Sequence, residues 1–130
     1  MTQKTKAKTK AKIIFLEDEK TLARLYTDKL EQAGFEVISY TDINTLIKDL
    51  DTLEADIAFL DYSLHGETMS GADIIPLVRE SHLEIKIVML SNYSEFQMEK
   101  EAKEAGADDY LLKINTPPAA LVAYAKKLAG

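Results

Sequence analysis

A regular alternation of two kinds of segment limits the fold of this sequence more than any other feature. Five short runs are apolar, have the length of β-strands and are rich in β-branched or aromatic residues. They occupy residues 12–17, 35–40, 56–61, 85–91 and 109–113. The first, third and fourth runs are apolar nearly throughout, which is typical of parallel strands that are buried on both faces of a sheet.

The segments between the apolar runs carry apolar residues three or four positions apart, which is the spacing of amphipathic helices. Gly34 follows the first of these stripes and predicts the end of the first helix. Ser94 followed by Gln97 has the pattern of a capping box at the start of the fourth helix. Thr116 followed by Pro117 predicts the start of the fifth helix.

Five strands that alternate with five helices predict an α/β fold of the (βα)5 type. The natural arrangement is a doubly wound, parallel five-stranded sheet with the flavodoxin-like strand order 2-1-3-4-5. We expect residues 12–130 to form this one domain. Residues 1–11 are low in complexity and rich in lysine, so we expect them to form a disordered basic tail.

The composition excludes several classes of protein. The 130 residues contain no Cys, which excludes a disulfide framework, Cys-ligated metal centres and thiol catalysis. No apolar run approaches the ~20 residues of a membrane-spanning helix, and the first residues lack the apolar segment of a signal peptide. We therefore expect a cytoplasmic protein with no membrane partner.

The charge is divided unevenly along the chain. Residues 1–12 carry five Lys and no acidic residue, so residues 13–130 hold 11 basic and 22 acidic side chains, a net charge of −11. Nucleic-acid phosphates repel a domain of this charge, so we expect no direct nucleic-acid partner.

Polar side chains follow the strands at the edge of the sheet where a doubly wound fold places its functional site. The set contains three carboxylates, one hydroxyl and one ammonium group. Its members are Glu17 and Asp18 after the first strand, Asp61 at the end of the third, Ser91 at the end of the fourth and Lys113 at the end of the fifth. Each residue alone has an ordinary explanation, such as helix capping by Asp18. Their occurrence at one edge indicates a functional site.

The chemistry of this set favours magnesium and phosphoryl transfer. Carboxylates that lie close together repel one another unless a cation joins them. Mg2+ suits oxygen ligands and leaves positions for water and phosphate oxygen. A carboxylate beside Mg2+ can attack phosphorus and form an aspartyl phosphate. A neighbouring lysine and hydroxyl can hold the transferred phosphoryl group by charge and hydrogen bonds.

The sequence resembles the receiver domain of two-component response regulators over residues 12–130. Four motifs carry the resemblance, in the family's order and spacing. They are Ile-Ile-Phe-Leu-Glu-Asp-Glu at the first strand, Ile-Ala-Phe-Leu-Asp at the third, Val-Met-Leu-Ser at the fourth and Gly-Ala-Asp-Asp-Tyr-Leu-Leu-Lys at the fifth. The resemblance implies that Asp61 is the phosphoryl acceptor. It also implies that Glu17, Asp18 and Asp61 hold Mg2+ together with the backbone carbonyl of Ser63.

The resemblance implies roles for further residues around the acceptor. Ser91 and Lys113 are expected to contact the oxygens of the transferred phosphoryl group. Ser91 and Tyr110 match the switch positions, where the aromatic ring rotates inward as the hydroxyl moves toward the phosphoryl group. Ser63 and Tyr93 match positions that tune the access of hydrolytic water.

The sequence departs from the family pattern in several places, which include His65, where the family often has proline, and Asn92, where a smaller residue is common. Ile114 follows the lysine of the fifth strand, where the family usually has proline, so the next turn must be built differently. The loop at residues 62–70, before Gly71, is also longer than is usual in the family.

These features predict a phosphorylation-controlled signalling switch that assists its own phosphorylation and dephosphorylation but is not otherwise an enzyme. A sensor histidine kinase or a phosphotransfer protein is the expected donor, and an output protein is the expected partner. The resemblance places the partner surface on the fourth helix, fifth strand and fifth helix, where a second copy of the chain can also bind. The alternative is a receiver-like interaction module that is not phosphorylated, and the complete set of site residues argues against it.

Two other functions are poorly supported. An FMN carrier needs a phosphate-binding loop after the first strand, and Glu-Asp-Glu-Lys at residues 17–20 would repel the FMN phosphate. A phosphatase of the Asp-x-Asp type needs a second acidic residue where this chain has Ser63.

Overall fold

The computed structural model describes residues 11–62, 70–82 and 84–130. In this part of the chain, five β-strands alternate with five α-helices. They are β1 (Lys12–Leu16), α1 (Lys20–Gln32), β2 (Glu36–Tyr40), α2 (Ile43–Asp49), β3 (Ile57–Asp61), α3 (Gly71–Ser81), β4 (Lys86–Ser91), α4 (Phe96–Ala105), β5 (Asp109–Leu112) and α5 (Pro118–Ala129). A short 3-10 helix at Lys113–Asn115 joins β5 to α5.

The strands form one parallel sheet in the order β2-β1-β3-β4-β5, which confirms the predicted doubly wound fold. The strand order reverses between β1 and β3, because the chain passes from β1 to one edge of the sheet and returns to its centre at β3. In the register of these two strands, Leu16 lies beside Leu60. The residues that follow Leu16 and Leu60 therefore meet at the same edge of the sheet.

The core consists of two apolar layers, one on each face of the sheet. Successive strand residues point to opposite faces, so Ile14 and Leu16 contribute to one layer while Ile13 and Phe15 contribute to the other. Helices α2, α3 and α4 cover the first layer, and α1 and α5 cover the second. The central strands are buried on both faces for this reason, as their continuous apolar sequence predicts.

The first four strands differ from their predicted bounds by one residue each, and three other predicted boundaries also differ from the structure. Helix α4 begins at Phe96 with Glu95 as its N-cap, so the predicted capping box that begins at Ser94 was wrong. Helix α5 begins at Pro118, and Thr116 is not its cap. Lys113 was expected to lie in the last strand, but it opens the 3-10 helix.

The predicted domain boundary stays a prediction, because residues 1–10 lie outside the described residues. None of the helices in the described ranges has both the length and the apolar character that a bilayer-spanning helix requires.

Candidate functional site

The end of β1 and the end of β3 bring three carboxylates together at the edge of the sheet. Glu17 and Asp18 follow β1 directly, and Asp61 is the last residue of β3. One carboxylate oxygen from each of Glu17, Asp18 and Asp61 lies within 4.8 Å of the other two. The backbone N–H of Glu19 donates a 3.1 Å hydrogen bond to Glu17 Oε2, which orients that carboxylate. Asp18 is not the N-cap of α1, since Glu19 occupies that position.

Lys113 reaches the same carboxylates from the first residue of the 3-10 helix. Its Nζ lies 2.7 Å from Glu17 Oε1 and 3.1 Å from Asp61 Oδ1. The lysine side chain is 11% exposed, so it is not a solvated charge at a strand end. It is held between two buried carboxylates.

Burial and the charges of neighbouring residues shift the pKa values of Asp61 and Lys113. Burial, followed by the negative charge of Glu17, raises the pKa of Asp61 from 3.8 to about 7, while Lys113 works against this rise. Burial alone would lower the pKa of Lys113, but the hydrogen bond from Lys113 to Glu17 and its attraction to Asp61 outweigh burial and raise it. The lysine therefore stays charged, and a further cation close to Asp61 would favour the ionised form of its carboxylate.

The donor set fits Mg2+. The carboxylate oxygens of Glu17, Asp18 and Asp61 are hard ligands, and the three side chains leave other coordination positions for water or phosphate. With Lys113, the ionised site carries a formal charge of −2, which one divalent cation neutralises. Ser63, whose backbone carbonyl was predicted as a further ligand, lies outside the described residues.

Ser91, Tyr93 and Tyr110 form a hydrogen-bonded chain next to the acidic site. Ser91 is fully buried at the end of β4, and its Oγ accepts a 3.0 Å hydrogen bond from the Tyr93 N–H. The Tyr110 hydroxyl donates a 2.8 Å hydrogen bond to the carbonyl of Tyr93. Tyr110 is buried, so the aromatic ring at the predicted switch position lies inward in this structure. The side chain of Tyr93 is half exposed.

The structure adds two residues to the surroundings of Asp61 that the sequence did not indicate. The ring of Tyr62 packs edge-on against that of Tyr110, with 6.2 Å between the ring centroids. The backbone of Gly71 lies so close to Asp61 that a Cβ at Gly71 would stand 1.9 Å from the Asp61 carbonyl oxygen. A glycine directly before a helical pattern was the available signal for Gly71, while no periodic pattern distinguishes Tyr62.

The chain matches the family model of the response regulator receiver domain over residues 13–125. It therefore belongs to the response regulator receiver family, as its motifs predict. Receiver domains are signalling switches rather than classical enzymes, and they serve phosphorylation-controlled two-component signalling. They bind Mg2+ at an acidic pocket and interact with histidine kinases or phosphotransfer proteins.

Similar proteins and structures agree with this assignment. The phosphate regulon transcriptional regulatory protein PhoB of Escherichia coli (strain K12) is 33% identical over 108 residues, which are 82% of this chain and 46% of PhoB. The alkaline phosphatase synthesis transcriptional regulatory protein PhoP of Bacillus subtilis (strain 168) is 30% identical over 106 residues, which are 82% of this chain and 43% of PhoP. This chain thus spans less than half the length of either relative.

The BeF3-activated DrrB receiver domain has a TM-score of 0.80 at 26% identity and covers 92% of this chain and 97% of its own. A CheY-like receiver domain protein of Methanospirillum hungatei JF-1 has a TM-score of 0.81 at 21% identity, with coverage of 92% of this chain and 94% of that chain. The similarity to the Methanospirillum hungatei protein, at 21% identity, supports the fold alone.

Proposed function

We propose that Asp61 accepts a phosphoryl group and that this modification controls a signalling surface of the domain. The observation that carries the proposal is the position of the buried Asp61 carboxylate, which lies 3.1 Å from the Lys113 ammonium group and close to the carboxylates of Glu17 and Asp18. A buried carboxylate beside a lysine, with further carboxylates that can hold a divalent cation, suits phosphoryl transfer, because the lysine and the cation offset the negative charge of the transferred group.

In the proposed reaction, a carboxylate oxygen of Asp61 attacks the phosphorus of the donor. The bond between phosphorus and the donor's leaving group breaks, and the product is an acyl phosphate on Asp61. Lys113 is placed to pair with the new phosphoryl oxygens, because its ammonium group already lies 3.1 Å from Asp61 Oδ1. The buried hydroxyl of Ser91 is proposed as a second group that contacts these phosphoryl oxygens.

Glu17, Asp18 and Asp61 are the proposed Mg2+ ligands, with the Ser63 carbonyl completing the protein's contribution. When bound, Mg2+ supplies positive charge that offsets the charge of the carboxylates and of the phosphoryl group. These metal ligands are therefore also proposed to assist the phosphorylation and dephosphorylation of Asp61. Ser63 and Tyr93 are proposed to tune the access of water to the phosphoryl group.

The proposed switch is the chain from Ser91 through Tyr93 to Tyr110. If the Ser91 hydroxyl turns toward a phosphoryl group on Asp61, its hydrogen bond with the Tyr93 N–H is lost. Tyr93 also supplies the carbonyl that holds the Tyr110 hydroxyl. Phosphorylation at Asp61 can thus change the segment between β4 and α4.

The proposed partners are a sensor histidine kinase or phosphotransfer protein as donor, and a protein that reads the phosphorylated state. The surface of α4, β5 and α5 is the proposed site of output and is also available to a second copy of the chain. Phe96, at the start of α4, belongs to this surface and is 79% exposed.

Acetyl phosphate with Mg2+ tests the acceptor directly, read by the intact mass of the protein. We expect the wild-type protein to gain the mass of one phosphoryl group and the Asp61→Asn variant to gain none. Asp51→Asn is the matched control, since Asp51 is an exposed aspartate away from the site, and it should behave like the wild type. No mass gain in the folded wild-type protein, or an equal gain in Asp61→Asn, would overturn the proposal and favour a module that is not phosphorylated.

A further inference from the structure

The turn between β5 and α5 carries Lys113 but lacks the proline that the family usually has after this lysine. Ile114 stands there instead and is 86% exposed, so its side chain does not anchor the turn in the core. The backbone forms a single turn of 3-10 helix over Lys113–Asn115. Such short 3-10 turns have poorer hydrogen-bond geometry than α-helices and depend on their surroundings.

Thr116 closes this turn on both sides of Lys113. Its backbone N–H donates a 3.0 Å hydrogen bond to the carbonyl of Lys113. Its hydroxyl donates a 2.7 Å hydrogen bond to the carbonyl of Leu112. Thr116 is buried, so these bonds form away from bulk water. The backbone that carries the Lys113 side chain is therefore tied to the position of Thr116.

Tyr26 of α1 also forms a hydrogen bond with Thr116. The Tyr26 hydroxyl donates a 2.6 Å hydrogen bond to the Thr116 carbonyl, and the two residues are 90 positions apart in the sequence. Tyr26 is 3% exposed. Its ring packs against that of Phe15, with 5.3 Å between the centroids, so the core fixes the place of the hydroxyl. This contact connects the turn to the rigid packing of α1 on β1.

We propose that Tyr26 is a positioning residue for Lys113 in phosphoryl transfer, an inference that rests on the proposed function of Asp61. Lys113 must bring one ammonium group within 2.7 Å of Glu17 and 3.1 Å of Asp61 at the same time. A displacement of the backbone at the turn changes how far the Lys113 side chain must reach to keep both contacts. The bond from Tyr26 to Thr116 restrains that displacement in a turn that lacks proline.

The test compares Tyr26→Phe with Tyr124→Phe. Tyr124 is the matched control because its hydroxyl also bonds a residue of β5, but at Asp109, the first residue of that strand and the one farthest from Lys113. With acetyl phosphate and saturating Mg2+, we expect the initial phosphorylation rate of Tyr26→Phe to fall about three- to tenfold. The rate of Tyr124→Phe should stay within about twofold of the wild-type rate, and the Kd for Mg2+ should be unchanged in both variants.

A double-mutant cycle shows whether Tyr26 acts through Lys113. In a Lys113→Ala background, Tyr26→Phe should cause no further loss of rate, because the group that it positions is absent. An undiminished further loss in that background, or equal rates for Tyr26→Phe and Tyr124→Phe, would overturn the proposal. A wild-type protein that is not phosphorylated would instead overturn the function of Asp61.

Thr116 provides a second variant pair in case Tyr26→Phe does not fold. Thr116→Ser keeps the hydroxyl that bonds Leu112 and should keep the wild-type rate. Thr116→Val removes this hydroxyl at nearly constant volume and should lower the rate with unchanged Mg2+ affinity. Equal rates in the two variants would contradict the restraint of Lys113 by this turn.

Discussion

At the scale of single residues, the environment of Asp61 is tight as well as acidic. Gly71 donates its N–H to the carbonyl of Tyr62 at 2.9 Å, and its α-carbon lies against the Asp61 carbonyl. The start of α3 is thus in direct contact with the backbone of the proposed acceptor. A side chain at position 71 would displace either the start of α3 or the backbone of Asp61.

Gly71→Ala should destabilise the domain by about 3 kcal/mol, because its Cβ would stand 1.9 Å from the Asp61 carbonyl oxygen. Gly34→Ala is the control, since Gly34 has a φ of +103° but no atom within 4 Å of an added Cβ. Gly34→Ala should lower the free energy of unfolding by about 1 kcal/mol, because only the backbone conformation is strained. Urea unfolding measures both changes. Equal losses of stability would show that the close approach at Gly71 contributes nothing.

The raised pKa of Asp61 predicts that the stability of the domain depends on pH when no divalent cation is present. This pKa is raised from 3.8 to about 7 in the folded state by burial and by Glu17, so the folded protein binds more protons than the unfolded chain between these values. The free energy of unfolding therefore contains a contribution from Asp61 that is present below pH 3.8 and is lost as the pH rises through 7.

Asp61→Asn should for this reason be more stable than the wild type at pH 8, by on the order of 1–3 kcal/mol, and about equally stable near pH 4. Urea unfolding in EDTA at the two pH values measures the difference. A variant that is less stable than the wild type at pH 8 would contradict the unfavourable charge at Asp61.

At the scale of elements, the segment between β4 and α4 is held by backbone contacts of Tyr93 from two sides. Ser91 accepts a hydrogen bond from its N–H, and Tyr110 of β5 donates one to its carbonyl. Helix α4 begins after this segment, with Glu95 rather than Ser94 as its N-cap. The two hydrogen bonds of Tyr93 connect α4 to the site.

Tyr110→Phe should uncouple α4 from Asp61, since it removes the donor to the Tyr93 carbonyl while the ring keeps its packing. We expect a phosphorylation rate within about twofold of wild type, because no group that contacts Asp61 is lost. The NMR shifts that beryllofluoride and Mg2+ cause in α4 should become smaller. Tyr40→Phe, which loses a hydroxyl bond to Asp49, the last residue of α2, is the control. Undiminished α4 shifts in Tyr110→Phe would exclude this route.

At the scale of the whole molecule, charge is concentrated at the switch point of the sheet. Residues 13–130 carry a net charge of −11, and three of these negative charges meet at the ends of β1 and β3. Their mutual repulsion opposes folding until a cation binds, so metal binding and global stability are linked. The basic residues 1–11 have no part in this expected linkage.

Mg2+ at 100 times its Kd should stabilise the wild-type domain by about 2.7 kcal/mol. Glu17→Gln should lose most of this gain because it removes one of the three carboxylates, whereas Glu54→Gln, at an exposed position, should keep it. Deletion of residues 2–11 should leave the Kd within about twofold of wild type, since no acidic ligand lies there. Urea unfolding with and without Mg2+ measures each gain, and a full gain in Glu17→Gln would refute the assigned ligands.

The sequence by itself determined the order of strands and helices, the two-layer core and the edge where Glu17, Asp18, Asp61 and Lys113 meet. These features follow from local periodicity and from the rule that the carboxyl ends of parallel strands lie at one edge of the sheet. Knowledge of distant contacts is not needed to predict them. The family motifs lie in the same short runs.

Only the tertiary structure decided how these groups are held. The Tyr26 hydroxyl meets Thr116 across 90 residues, and Gly71 approaches the Asp61 carbonyl from a different element. Such contacts depend on how helices pack on the sheet, so the spacing of side chains along one segment does not predict them. Packing also determined that Lys113 leaves its strand for a 3-10 turn, because Thr116 and Tyr26 supply the hydrogen bonds that stabilise it.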